Sequence, residues 1–99
     1  MTSQSLPLVE LYGKPDCHLC DEAKTLLRQL QNQHPFILRE INILQHACLA
    51  EQYAEDIPVI FINGRKAFKY YIEPQQFVRR LNRERGKPGH RLWQRFRPW

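Results

Sequence analysis

Two cysteines three residues apart, Cys17 and Cys20, stand where one hydrophobic period gives way to another. Before them, Leu6 to Tyr12 is an apolar run carrying Val9 and Leu11, and Gly13 follows. That pattern reads as a strand ending in the loop Gly13-Lys14-Pro15-Asp16. After them, Leu19, Ala23, Leu26, Leu27 and Leu30 recur at spacings of three and four. Cys17 to Gln33 therefore reads as a helix with one apolar face. Asp16 is the expected N-cap, Asp21 and Glu22 suit the early turns, and His34-Pro35 ends the helix. A strand passing through a short loop into an amphipathic helix is the first half of a βαβ unit.

The rest of the chain continues that alternation. Phe36 to Ile43 reads as a second strand and Gln45 to Ala54 as a shorter helix, with a break at Asp56-Ile57-Pro58. Val59-Ile60-Phe61-Ile62 is apolar throughout, as befits a strand buried on both faces. Asn63-Gly64 is a strong two-residue hairpin signal, so Arg65 to Tyr71 is expected to return as an antiparallel edge strand. Pro74 suits the first turn of a last helix whose inner face is Phe77, Val78 and Leu81. The predicted fold is α/β: βαβ followed by ββα, a mixed four-stranded sheet with helices on both faces. Gly86-Lys87-Pro88-Gly89 breaks the pattern, which divides the chain into a domain over 1–85 and a basic, aromatic tail over 86–99.

The 99 residues suffice for one modest core. No run approaches the ~18 apolar residues that span a bilayer. Met1 to Pro7 lacks the features of a signal peptide, so the expectation is a soluble, cytoplasmic protein. Three cysteines are too few and too uneven in number for a disulfide-stapled secreted domain. The net charge of +5 is local. Basic and acidic residues balance at nine each from Met1 to Asn82, and Arg83 to Trp99 carries six basic residues against one acid.

The spacing Cys17-His18-Leu19-Cys20 places the second sulfur one helical turn behind the first, on the same face. A disulfide closes there without unfolding the helix. Cys17 falls at the helix start, where free N–H groups and the helix dipole favour an anion and lower a thiol pKa. Lys14 reinforces this, protonated His18 would add to it, and Asp16 opposes it. These features assign Cys17 as nucleophile and Cys20, deeper in the helix, as resolving thiol of a thiol–disulfide oxidoreductase. Half of a zinc site is one alternative, but a second pair is lacking and His34, His46 and Cys48 are scattered. Two unreactive core cysteines are another.

The segments Leu11-Tyr12-Gly13-Lys14-Pro15-Asp16-Cys17-His18-Leu19-Cys20 and Asp56-Ile57-Pro58-Val59-Ile60-Phe61 resemble the glutaredoxin-like branch of the thioredoxin superfamily. The resemblance runs from about Leu8 to Leu81, and is nearest to the small, poorly characterised glutaredoxin-like proteins. It implies a cis peptide bond at Pro58, facing the cysteines. A cis Ile57–Pro58 bond would present backbone polar groups able to pair with a bound substrate chain. Lys14 matches the family's lysine for a glutathione carboxylate, and His18-Leu19 replaces the usual Pro-Tyr. Tyr71-Ile72-Glu73-Pro74 occupies the stretch where glutaredoxins carry a Gly-Gly turn and a following acid. Glutathione as reductant is left open on that ground, and no bound cofactor or metal is expected.

The expected site is thus Cys17 and Cys20 for catalysis, with Lys14, His18, Ile57 and Pro58 for substrate. Cys48 is expected to be a buried structural thiol, and His34 and His46 surface residues. The expected partner is a disulfide-containing protein or a small thiol, and the expected state a monomer. A second function class is a binding module with little redox activity that engages a protein or anionic partner through its basic tail. Arg91-Leu92-Trp93-Gln94-Arg95-Phe96-Arg97-Pro98-Trp99 suits nucleic acid or an anionic surface. The competing reading packs Trp93 and Phe96 back on the domain.

Overall fold

Every side chain of Val59–Ile62 is buried, so this strand needs cover on both faces and neighbours on both edges. A computed structural model, which describes residues 6–85, supplies them. The sheet consists of β1 (Leu8–Gly13), β2 (Ile37–Asn42), β3 (Val59–Ile62) and β4 (Arg65–Lys69), in the order β2-β1-β3-β4. β1 and β2 are parallel, while β3 is antiparallel to both β1 and β4. The mixed α/β architecture expected from the sequence is the one observed. The tail over 86–99 lies outside the described residues.

Alternation along the strands sorts the core into two layers. Val9, Leu11, Ile60 and Ile62 meet Ala23 and Leu27 of α1 (His18–Gln33) and Phe77 and Leu81 of α3 (Pro74–Glu84). Tyr12, Val59 and Phe61 point the other way, onto Ile43, Ile57 and Tyr53, the last from α2 (Ala47–Tyr53). Tyr12, Tyr53 and Phe61 form an aromatic triad in that second layer, with Tyr12 centroids 5.4 Å and 5.0 Å from the other two.

Local chemistry fixes the joints. Asn63 and Gly64 both adopt positive φ, 49° and 83°, as a two-residue hairpin with the right twist requires. Asn63 is buried, and its Oδ1 accepts the Leu8 N–H at 2.8 Å while its own N–H donates to the Leu8 carbonyl at 2.7 Å. The turn residue thus ties the start of β1 to the end of β3. Glu73 caps α3 through its carboxylate, which accepts the Gln76 N–H at 2.8 Å, and Pro74 takes the first helical position.

Several boundaries differ from the expectation. Residues Ile43–Gln45 form a 3₁₀ turn, because the Asn42 side chain accepts the Leu44 N–H and buried Ile43 anchors the turn; α2 therefore starts only at Ala47. Asp16 is not the cap of α1. It sits in the left-handed region at φ 61°, and Cys17 is the N-cap residue. Cys48 is exposed rather than buried. The inner stripe of α2 runs through Leu49 and Tyr53, four residues apart, and Cys48 lies about 100° round the helix from Leu49.

Candidate functional site

The site is built where β1 ends. Tyr12 pairs with Val59 and Gly13 with Asn42, so the chain just before β3 and the end of β2 flank the carboxyl end of β1. From there the loop over 14–16 delivers Cys17 to the start of α1. Cys17 and Cys20 are joined in a disulfide with a Cα–Cα separation of 5.1 Å. Cys17 is partly exposed, and Cys20 is 5% exposed within the second core layer. The unequal exposure expected of the pair is therefore observed.

The Cys17 side chain serves as the helix cap. Its Sγ accepts the Cys20 N–H at 3.2 Å, and its carbonyl accepts the Asp21 N–H at 3.0 Å. The sulfur therefore lies against one of the N–H groups that a helix start leaves without backbone partners. The backbone of Gly13 passes directly behind the pair. A Cβ on Gly13 would lie 2.9 Å from the Cys20 Sγ and 3.2 Å from its Cβ. Both atoms are held by α1, so neither can retreat cheaply. Gly13→Ala is expected to destabilise the protein by ~1–3 kcal/mol, the usual cost of overpacking, read as a lower denaturant midpoint at unchanged m.

The Ile57–Pro58 peptide bond is cis, as the resemblance implied. Pro58 is fully buried, Ile57 is 8% exposed, and the Ile57 side chain belongs to the same core layer as Cys20, with Cys17 packed against that layer. Among the described residues, neither the N–H nor the C=O of Ile57 has a backbone hydrogen-bond partner. Lys14 stands exposed on the other side, on the rim of a cleft of about 380 Å³ whose walls include Gly13, Cys20, Lys24 and Glu40. Lys24 is 3.3 Å from Glu40, which also takes Arg28 at 3.0 Å.

His18 is 85% exposed on its side chain, and its Nε2 lies 2.8 Å from the Glu22 carboxylate one turn along α1. His46 is exposed and His34 half-buried. The fold thus gathers Lys14, Cys17, Cys20, Ile57 and Pro58 at one end of the sheet. His18 sits beside Cys17 in sequence, with its ring turned to Glu22. Among the described residues no group of three or more His, Cys, Asp and Glu is arranged to hold a metal ion. No described helix is long and apolar enough to cross a membrane. Sequence reasoning passed over Tyr70, the residue after β4, whose N–H donates to the Pro58 carbonyl at 2.8 Å; its left-handed backbone, φ 71°, is one that tyrosine rarely adopts, and no local sequence signal marks it.

Solved structures share this fold. The solution structure of protein Ne2328 from Nitrosomonas europaea is similar at 29% identity and a TM-score of 0.69, over 81% of this chain and 98% of that one. An X-ray structure of a protein from X. campestris is similar at 26% identity and a TM-score of 0.63, over 76% and 96%. Oxidised mitochondrial thioredoxin 3 from Saccharomyces cerevisiae shares the fold, with 15% identity, a TM-score of 0.57, and coverage of 80% of this chain and 79% of that one. The model of the glutaredoxin-like domain (DUF836) matches residues 8–85. With its thioredoxin-like sheet and its paired cysteines at the start of α1, the chain belongs to the glutaredoxin-like family.

Proposed function

We propose that the protein is a thiol–disulfide oxidoreductase in which Cys17 is the nucleophile and Cys20 the resolving thiol. The observation that carries this reading is the Cys17 Sγ at the N-cap of α1, accepting the Cys20 N–H. In the reduced protein the same N–H stabilises a thiolate, which is the attacking species. Cys17 attacks a substrate disulfide, forming a mixed disulfide and expelling one substrate thiolate. The Cys20 thiolate then attacks the Cys17 sulfur, closing the intramolecular disulfide and releasing the second substrate thiolate. Two electrons pass from the dithiol to the substrate, and both released thiolates take up protons. An external thiol returns the protein to the dithiol state.

The substrate class is a disulfide-containing polypeptide or a small disulfide. An extended chain pairing with the free backbone groups of Ile57 would bring its disulfide beside Cys17. Lys14 supports glutathione as reductant, held by a carboxylate, while Tyr71-Ile72-Glu73 in place of a Gly-Gly turn argues against it. The low cysteine count suits a reducing compartment such as the cytoplasm, with the protein acting as a monomer in thiol homeostasis.

The test is equilibration of the protein with graded dithiothreitol redox buffers, followed by turnover of a disulfide-bonded peptide. The expected result is a single two-electron potential for the pair and peptide reduction well above the rate of dithiothreitol alone. A rate equal to that of dithiothreitol alone overturns the proposal.

A further inference from the structure

Tyr70, immediately after β4, has φ 71°. That left-handed region suits glycine and disfavours a residue with a Cβ. Here the kink coincides with an unusual set of contacts. The Tyr70 N–H donates to the Pro58 carbonyl at 2.8 Å. Its hydroxyl donates to the Glu55 carbonyl at 2.9 Å. The preceding residue, Lys69, lies with its Nζ 3.5 Å from the Asp56 carboxylate and 5.3 Å from the Tyr70 ring centroid. Two consecutive residues thus fasten the segment over 55–58 at three points, on both sides of Ile57.

A glycine at position 70 would adopt this backbone freely and could still donate its N–H to Pro58. It would lose the second hydrogen bond, because only a side chain as long as tyrosine, ending in a donor, spans from that N–H to the Glu55 carbonyl. The chain carries the residue that fits the backbone poorly and the loop well.

We infer that Tyr70 is a positioning residue: it holds the Ile57 backbone at a fixed distance from Cys17, so that a polypeptide substrate, and not a small disulfide, gains affinity from it. This rests on the oxidoreductase reading above. A segment fixed before substrate arrives loses little freedom on binding, which favours affinity over rate. A substrate without a peptide backbone makes no use of Ile57, and so feels no difference.

The experiment compares wild type with Tyr70→Phe and Tyr70→Gly on two substrates, a disulfide-bonded peptide and bis(2-hydroxyethyl) disulfide. Rates are normalised to the folded fraction measured by thermal unfolding. Tyr70→Phe is expected to raise the KM for the peptide about fivefold, the equivalent of one hydrogen bond, with kcat unchanged. Kinetics on the small disulfide should stay at the wild-type values. Tyr70→Gly should show the same selective rise even though its backbone is relaxed. Equal losses on both substrates, or an unchanged peptide KM in Tyr70→Phe, overturn the inference while leaving the redox reading intact. A wild type that reduces neither substrate overturns the redox reading, and this inference with it.

Discussion

Cys17→Ser is expected to lower disulfide reduction to background, a loss on the order of 10³-fold or more, because a hydroxyl supplies no thiolate. The variant isolates chemistry from structure. Serine is among the strongest N-cap residues, and its oxygen can accept the Cys20 N–H that the sulfur accepts now. The bridge closes only a short loop, with a sequence separation of 3, so its loss frees little chain entropy. Far-UV circular dichroism and the unfolding midpoint should therefore stay near the wild-type values while turnover vanishes. Cys20→Ser is expected to behave differently: Cys17 still attacks, but the mixed disulfide persists. Mass spectrometry after incubation with a disulfide-bonded peptide should find one substrate thiol per protein, removable by dithiothreitol. Turnover unchanged in Cys17→Ser, or adducts on Cys17→Ser in place of Cys20→Ser, would reverse the assignment of the two sulfurs.

The features legible in the sequence are those set by short-range chemistry. Val59–Ile62 could be bounded to the residue, because apolarity fills it and Pro58 and Asn63 close it off. The hairpin followed from Asn63-Gly64, both of which tolerate positive φ. The cysteine spacing announced a disulfide on one helix face. What failed were choices between neighbours of similar propensity. Asp16 and Cys17 can both accept an amide hydrogen bond, and the turn of the loop at Asp16 decided for the sulfur. Cys48 was misplaced because a helix of 7 residues carries too little periodicity to fix its inner face; Tyr53 and Leu49 fix it in three dimensions. The Tyr70 brace was hidden for a different reason. Its hydroxyl and the Glu55 carbonyl are 15 residues apart, and only the register of β4 on β3, with Lys69 opposite Val59, brings them together.

Phe77→Ala carries the second large effect, on stability. Phe77 is fully buried on α3, with ring centroids 5.5 Å from Phe36 and 6.4 Å from Phe68. Truncating a buried phenylalanine costs ~3–5 kcal/mol, from lost burial and from the cavity left behind. A domain of this size has about 5–15 kcal/mol in all, so the denaturant midpoint should fall by about a fifth or more at unchanged m. The two core layers make this prediction discriminating. Phe77 and α3 belong to the layer with Leu27 and Ile60, whereas Cys20, Ile57 and the partly exposed Cys17 belong to the layer with Tyr12 and Tyr53. The lost stability should therefore appear as a smaller folded fraction, with turnover per folded molecule close to wild type. Turnover that falls further than the folded fraction would mean that the packing of α3 against Ala23 and Leu27 of α1 sets the geometry of the cysteine pair at the start of that helix.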